Sequence, residues 1–415
     1  MTGFGRFKRD GSGVREHTMP ETATPTEESL VTGHGGRLLL LVSFGWFMIQ
    51  GGRLLLPPLL PEIIADLNVS ATQAGLALTT LWGVYALLQY PSGRLSDRLS
   101  RRTLLVGALL LAAVGYVLLS AATVYPLFLV AAAVIGVGAG LYPTAARALV
   151  SDRFEQKRAA AFGLHTASGD VGGAVAAGIA VVVVAATVWR APFLPVAAVV
   201  VAVAVGLHFL SREPYEVKRV DLDVRGAVSR FGENRRVAAL ALAYCGFAFA
   251  WQSSTGFLPL FLREAKGLSP ALASGGFAAL FVVGALVKPV SGRLGDRHGK
   301  ARVASAGIGF GAIALTGLLF VEGRVAVLAV TVAYAAGFMS FPPVMQSYLM
   351  DAFPDDSMGA DLGFARSTYI GVGALGPTYV GFVAERADYI VAFGGLVALL
   401  GAASVAVFLL SRAKD

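Results

Sequence analysis

Charged residues are scarce in this chain, and cysteine and histidine are rarer still. Of 415 residues, 14% are charged, one is cysteine and five are histidine, whereas a soluble domain carries roughly 25% charged residues. A chain with so few charges cannot keep its apolar surface from water as a soluble globule. The lone cysteine, Cys245, excludes a disulfide framework within one chain and a metal site of the Cys-x-x-Cys type.

Familiar catalytic motifs are also missing. The sequence contains no nucleotide-binding P-loop, no His-Glu-x-x-His and no plausible set of nucleophile and base. We therefore expect no enzyme activity, no cofactor and no metal site.

Long apolar runs are abundant instead, and twelve of them can each span about 30 Å of hydrocarbon. They cover residues 37–60, 73–95, 103–122, 125–149, 159–184, 189–211, 237–262, 271–293, 301–320, 324–349, 360–384 and 387–411. The first run is too long, and begins too late, for a signal peptide. The pattern predicts an all-α integral membrane protein with 12 transmembrane helices.

The polar segments divide the chain into four parts. We predict a disordered cytoplasmic tail over 1–35, a six-helix unit over 36–211, a cytoplasmic linker over 212–236 and a second six-helix unit over 237–412. The tail contains Met19, which we take as a hypothetical true start, testable by N-terminal peptide mapping.

The distribution of basic residues predicts the orientation. Lys and Arg number 34; with the N-terminus inside, 26 fall on the cytoplasmic side and five on the outer side, counted along the sequence. Positive residues concentrate on the cytoplasmic side of membrane proteins, so both termini are expected in the cytoplasm, in a multi-pass protein of the plasma membrane. The net charge of +8 is spread over many loops, which argues against a nucleic-acid partner.

A short motif occurs twice. Residues 93–98 read Gly-Arg-Leu-Ser-Asp-Arg, and 199 positions later residues 292–297 read Gly-Arg-Leu-Gly-Asp-Arg. Pro143 and Pro342 match at the same offset. Because each unit has an even number of spans, both enter and leave on the same side, which predicts parallel repeats related by an axis along the membrane normal.

The repeated motif resembles the signature loop of the major facilitator superfamily. The second copy continues with a glycine and a lysine, as the family pattern does, whereas the first has Ser100 in place of the glycine. The resemblance implies two pseudo-symmetric six-helix bundles around a central cavity lined by helices 1, 4, 7 and 10. It also implies a cytoplasmic gate, in which Asp97 contacts the start of helix 11 and Asp296 the start of helix 5. The residues assigned to this gate motif are Gly93, Asp97, Arg98, Arg101, Gly292, Asp296, Arg297 and Lys300.

Four charged residues lie more than one turn inside the predicted spans, where each costs several kcal/mol unless paired or hydrated. Arg53 is either a substrate anchor, a snorkelling residue or a partner of an acid in the first outer loop. Asp170 is either a proton-coupling group or the fixed partner of an arginine. Lys288 is interpreted as snorkelling or tethering a loop rather than as a ligand, and Arg366 remains open.

Arg53 suggests a substrate site, because an arginine fork suits carboxylate or phosphate groups. The candidate substrate-binding residues are Trp46, Gln50, Arg53, Trp251, Gln252 and Arg366. The predicted function is a secondary transporter that moves a small solute by alternating access with ion coupling. Because cations outnumber acids among the charged residues inside the spans, the solute is predicted to be an organic anion. Protons are one choice of coupling ion. Proton-coupled efflux of amphipathic compounds and a non-transporting sensor are the alternatives. The expected partners are the solute and the bilayer, with the protein acting as a monomer.

Overall fold

The computed structural model describes residues 2–3, 28–186, 188–216, 218, 225–226, 228–229, 235–352 and 358–412. Met19, most of the expected disordered tail and about half of the linker therefore lie outside the described residues. Residues 33–35, which were expected in the tail, instead begin α1. Among the described residues, the first half forms eight helices: α1 Gly33–Leu54, α2 Leu60–Leu67, α3 Ala71–Leu87, α4 Gln89–Arg98, α5 Arg101–Ser120, α6 Tyr125–Arg153, α7 Arg158–Ala186 and α8 Phe193–Leu210. The described part of the second half forms seven more: α9 Arg235–Glu264, α10 Pro270–His298, α11 Lys300–Phe320, α12 Arg324–Met350, α13 Met358–Ala374, α14 Gly376–Arg386 and α15 Tyr389–Arg412.

The all-helical membrane fold agrees with the expectation from sequence. Within the described residues, ten helical segments are long and apolar enough to cross a membrane, with α3 and α4 counted as one. The first and eleventh predicted spans complete the twelve. Gln50 and Arg53 lower the apolarity of α1, and a break at Leu375 divides α13 from α14.

Two boundaries differ from the prediction. The first span was expected to reach residue 60, but α1 ends at Leu54, and the following turn contains Pro57 and Pro58. The second span is interrupted at Leu88, three residues before Pro91. Proline lacks the N–H that would bond to the carbonyl four residues back, and its ring clashes with that carbonyl, which accounts for both changes.

The serine that departs from the family pattern has a structural role. Ser100 stands before α5 and its hydroxyl accepts a hydrogen bond from the Thr103 backbone N–H at 3.2 Å, as an N-cap residue does. The glycine of the second copy, Gly299, precedes α11 with φ +96°. One loop therefore uses a side-chain cap where the other uses the backbone freedom of glycine.

Packing within each half uses small residues, as the glycine content of the fourth and fifth spans predicts. A Cβ at Gly138 of α6 would come within 2.6 Å of the Ala108 carbonyl of α5, and one at Gly172 of α7 within 2.6 Å of the Phe47 carbonyl of α1. Such contacts let helix backbones approach closely. Between the halves, α3 and α4 pack against α13 and α14, and α7 packs against α10.

Candidate functional site in the central cavity

A cavity of about 230 Å³ lies between the two halves. Its walls come from α1 and α3 of the first half and from α9, α10, α12 and α13 of the second. α3 supplies Trp82 and Tyr85, and no described lining residue comes from α6, which contains the fourth span that the family resemblance places there. The lining includes all six predicted substrate-binding residues, Trp46, Gln50, Arg53, Trp251, Gln252 and Arg366.

Arg53 is enclosed by aromatic rings. Its guanidinium carbon lies 4.2 Å from the ring centre of Trp82, 4.9 Å from Tyr85 and 5.9 Å from Trp46, all within the range of cation–π attraction. The residue is only 5% exposed. Its Nε and Nη1 atoms have no hydrogen-bond partner among the described residues. A buried cation with free donors is suited to receive an anionic group.

The outer acids do not neutralise Arg53. Glu62 pairs with Arg263 at 2.7 Å, and Asp66 accepts hydrogen bonds from Arg190 and from the Trp189 indole. The alternative in which Arg53 pairs with an acid of the first outer loop is therefore wrong. Its burial is likewise incompatible with snorkelling into water.

Tyr85 connects Arg53 to the second half. Its side chain interacts with the guanidinium groups of both Arg53 and Arg366. Arg147 of α6 interacts electrostatically with Arg366 and Tyr85 as well. The sequence count had placed Arg147 with the cytoplasmic basic residues, but α6 continues to Arg153, so Arg147 lies well inside a helix. The cavity thus lies in a field of several arginines.

Each half supplies one glutamine of the predicted site, Gln50 from α1 and Gln252 from α9. Gln252 donates through Nε2 to the Ile370 carbonyl at 3.0 Å. The side-chain oxygens of Gln50 and Gln252 are buried without a partner among the described residues. Trp46 packs beside His165, with 6.2 Å between the ring centres. Amide groups and aromatic walls together give the cavity both polar and planar surfaces.

Asp170 has a lysine as its partner. The Lys288 ammonium donates to both carboxylate oxygens of Asp170, at 2.8 and 2.7 Å. Lys288 also lines the cavity, which corrects its interpretation as a snorkelling residue. The pair links α7 of the first half to α10 of the second.

The two halves meet tightly at one end of the bundle, here called the far end because it lies opposite the start of α1 and the end of α15. Thr72 donates to Glu385 through its backbone N–H at 2.7 Å and its hydroxyl at 2.6 Å. Thr79 and Thr378 share a hydrogen bond of 2.7 Å. These contacts, with the Glu62–Arg263 ion pair, close the far end of the cavity.

Along α7 and α10 the halves separate toward the opposite end, whereas α4 and α13 stay in contact, with the Tyr90 N–H donating to the Ser367 hydroxyl at 3.1 Å. On α7 and α10, a Cβ at Gly173 would come within 2.7 Å of Phe281. Nearer the termini, a Cβ at Gly163 or Gly292 would meet no heavy atom within 4 Å. The arrangement along this pair of helices is therefore a wedge that is closed at the far end.

We expect Glu385→Gln to weaken the far-end closure. Burial alone would raise the pKa of Glu385, but hydrogen bonds from Ser70 and Thr72 hold it below the ordinary value of 4.5. A lowered pKa means that the contact is fully present above that value and is lost as pH falls through the lowered one. Spin labels at Ala65 and Ala387 should report longer distances in the variant at neutral pH, and in the wild type only under strong acid.

Asp388→Asn is the matched control for this prediction, because Asp388 accepts from the Val391 N–H within its own half at 2.7 Å. Identical distance distributions in the wild type and Glu385→Gln would show that the Thr72 contact does not hold the far end closed.

The signature loops lie at the opposite end. Arg101 pairs with Asp152 at 3.0 Å and Lys300 pairs with Asp351 at 2.7 Å. Each pair lies within its own half. Arg101 matches Lys300, and Asp152 matches Asp351, at the same 199-residue offset. Asp296 and Arg297 are exposed, and the Asp97 side chain lies outside the described side chains. The predicted gate contacts of Asp97 and Asp296 stay predictions.

A larger groove, of about 750 Å³, lies on the outer surface between α9, α13, α14 and α15. It is lined mainly by apolar and small side chains such as Leu242, Leu399 and Leu409. Since Leu242 and Leu409 are themselves exposed, this groove faces the bilayer and has no charged anchor. The smaller cavity between the halves is the better candidate site.

Sequence reasoning missed several cavity residues, namely Trp82, Tyr85, Tyr244, Phe247, Met339, Gln346 and Tyr369. One signal was available, because Gln346 lies 199 positions after Arg147, the same offset that relates Arg53 to Gln252. The aromatic residues carried no such signal, since apolar rings in a membrane helix face lipid, core or cavity with equal ease.

Comparison with known proteins agrees with this architecture. The family model of the Major Facilitator Superfamily matches residues 40–287 and 240–415. A probable sulfoacetate transporter of Cupriavidus necator is 25% identical, over 83% of this chain and 86% of its own length. A gentisate transporter of Corynebacterium glutamicum is 26% identical, over 83% and 80%. A multidrug resistance protein of Proteus mirabilis is 29% identical, over 64% and 68%.

Among solved structures, the fold is similar to that of a bacterial homologue of the human lysosomal transporter Spinster in an inward-facing, unoccupied conformation. The TM-score is 0.77 at 17% identity, with 92% of this chain and 98% of the other covered. The sequence match extends over both halves, and the fold likeness covers most of the chain. The chain therefore belongs to the Major Facilitator Superfamily and is a multi-pass membrane transporter.

Proposed function

We propose that this transporter carries a small organic anion. The observation that carries the proposal is Arg53, a buried cation whose free donors meet no acid among the described residues. Asp170 neutralises Lys288, which leaves the charges of Arg53 and Arg366 for a ligand. Charge-assisted hydrogen bonds to carboxylate or sulfonate oxygens are among the strongest that a protein makes.

The size and walls of the cavity narrow the class of substrate. Its volume of about 230 Å³ is below the roughly 300 Å³ at which drug-sized pockets begin. Tryptophan and tyrosine rings provide planar contact beside the guanidinium groups. Two relatives carry names of small organic anions, sulfoacetate and gentisate, in support of this class.

The transport cycle is alternating access driven by a gradient, with protons as the proposed coupling ion and the monomer as the working unit. We place both termini in the cytoplasm on the strength of the basic residues. The far end is then the outer face, and the wedge corresponds to a form open toward the cytoplasm. In the outward-open form, the contacts expected of Asp97 and Asp296 would replace those of Glu385 and Glu62.

Counterflow in proteoliposomes tests the proposal. Vesicles loaded with unlabelled sulfoacetate, gentisate or glucuronate should accumulate the same labelled anion, and protein-free vesicles should not. If the protein exchanges a planar amphipathic drug but none of these anions, the result favours the alternative, efflux of amphipathic compounds. The aromatic walls also suit such compounds. Binding without any exchange would contradict transport and favour a sensor.

A further inference from the structure

The Asp170–Lys288 ion pair differs from the others in its position. The remaining ion pairs between described residues lie at helix ends or in connections. Asp170 and Lys288 instead lie within spanning helices, with side chains 17% and 24% exposed. Both groups are therefore partly exposed, and Lys288 reaches the cavity that it lines.

The pair also joins the two moving halves next to the candidate site. Gly169, the neighbour of Asp170, is in contact with Trp46 and Gln50, since a Cβ there would come within 2.9 Å of the Trp46 ring and 3.2 Å of the Gln50 side chain. Lys288 lines the same cavity. An anion held beside Gln50 and Arg53 would thus lie close to the Lys288 ammonium.

Three helices pack closely against α7, which carries Asp170, and each contributes a cation. Lys288 of α10 pairs with Asp170 directly. Arg147 of α6 acts electrostatically on His165 of α7, and Arg53 of α1 lines the neighbouring cavity. Asp170 is consequently the acid that can exchange a proton at this level of the cavity, among the residues described.

We propose that Lys288 is a conditional anion ligand, bound by Asp170 in the empty carrier and by the substrate once Asp170 takes up a proton. This inference rests on the proposed function. The proton binds one carboxylate oxygen of Asp170, and the Lys288 N–H donors move from Asp170 to an oxygen of the substrate. Before the step, one ammonium faces one carboxylate; after it, the same ammonium faces the substrate anion beside a neutral acid.

The exchange conserves net charge around Lys288, which avoids the cost of an unpaired charge inside the membrane. It also ties the two ligands together. When one proton is taken up with each anion, the anion affinity changes by up to tenfold per pH unit. The factor by which protonation of Asp170 raises the anion affinity equals the factor by which the bound anion raises the proton affinity of Asp170. The anchor at Arg53 remains available at every pH, so Lys288 supplies the pH-dependent part of binding.

Calorimetry on the full-length protein tests this, with sulfoacetate and gentisate as probes between pH 6 and pH 8. In the wild type, affinity should rise about tenfold for each unit by which pH falls. Titrations in buffers of different ionisation enthalpy should then show about one proton taken up per anion. Asp170→Asn should bind tightly at every pH with no proton uptake. Lys288→Gln should bind at least roughly tenfold more weakly than the wild type at pH 6, with no pH dependence.

Asp66→Asn is the matched control, because it removes the acid of another ion pair, Arg190–Asp66, away from the cavity. It should retain the wild-type pH dependence. Size-exclusion profiles and thermal unfolding show whether each variant is folded, and the double variant Asp170→Asn/Lys288→Gln repeats the test without an unpaired lysine. It should resemble Lys288→Gln.

The outcomes separate this inference from the proposed function. The wild type could exchange the anion while Lys288→Gln keeps the wild-type affinity and pH dependence. That result would overturn the role of Lys288 and leave anion transport standing. If the wild type binds and exchanges neither probe nor any other anion tested, the proposed function is wrong, and the conditional ligand is wrong with it.

Discussion

Arg53→Ala is expected to reduce the affinity for the transported anion by at least 100-fold, or about 2.7 kcal/mol. The reason is that the variant loses charge-assisted hydrogen bonds in a buried site, each of which contributes about 1.5–3 kcal/mol. Binding of sulfoacetate or gentisate, measured by calorimetry at pH 6, provides the test. The anion affinity of Arg53→Lys should lie between those of the wild type and Arg53→Ala, because lysine retains the charge but not the planar fork.

Arg190→Ala is the control for this result. Arg190 also lies over a tryptophan, with its guanidinium carbon 4.4 Å from the ring of Trp189, but it pairs with Asp66 outside the cavity. It should leave affinity within about twofold of the wild type. An Arg53→Ala variant that binds the anion as tightly as the wild type would reduce Arg53 to a packing residue.

Gly75→Leu is expected to keep the far end of the transporter open and to abolish exchange while anion binding persists. A Cβ at Gly75 would overlap the Pro377 carbonyl group, whose carbon would be 2.8 Å away. Backbone atoms cannot rotate aside as a flexible side chain can, so the helices must separate by a movement of the halves. Spin labels at Ala65 and Ala387 should show the far-end-open form enriched at least roughly tenfold, equivalent to about 1.4 kcal/mol.

Gly83→Leu on the same helix is the matched control, because a Cβ there meets no heavy atom within 4 Å. Gly381→Leu should reproduce the effect independently, since a Cβ at Gly381 would overlap the Ala71 backbone. Wild-type exchange by a folded Gly75→Leu protein would mean that the tight far-end contact is not a required state of the cycle.

Much of the fold could be predicted because membrane helices have simple rules. A span must be long and apolar, and basic residues concentrate on the cytoplasmic side of the membrane. Those rules do not predict breaks within a span, such as the breaks at Leu88 and Leu375. The eleventh span breaks at Leu375, directly before Gly376 and Pro377, two residues that interrupt helices. The break at Leu88, although Pro91 follows it, was missed because apolar length alone cannot distinguish a straight helix from a kinked one.

The candidate site could be predicted only in part. Arg53, Gln50 and Gln252 were found because a charge or amide inside a span is costly and so calls for an explanation. Tyr85 gave no such sign, yet its side chain links Arg53 to Arg366 across the two halves. Hydropathy assigns an aromatic residue to a helix, but helix rotation decides whether the ring faces lipid or cavity.

By itself, the sequence determined the membrane class, the spans, the duplication and the residues that carry charge into the membrane. These follow from composition and periodicity, which are local properties of the chain. Only the tertiary structure decided the partners: Lys288 for Asp170, Arg263 for Glu62, and aromatic rings rather than an acid around Arg53. Partners more than a hundred residues apart are brought together by helix packing, and the energy of a buried charge depends on what packing places beside it.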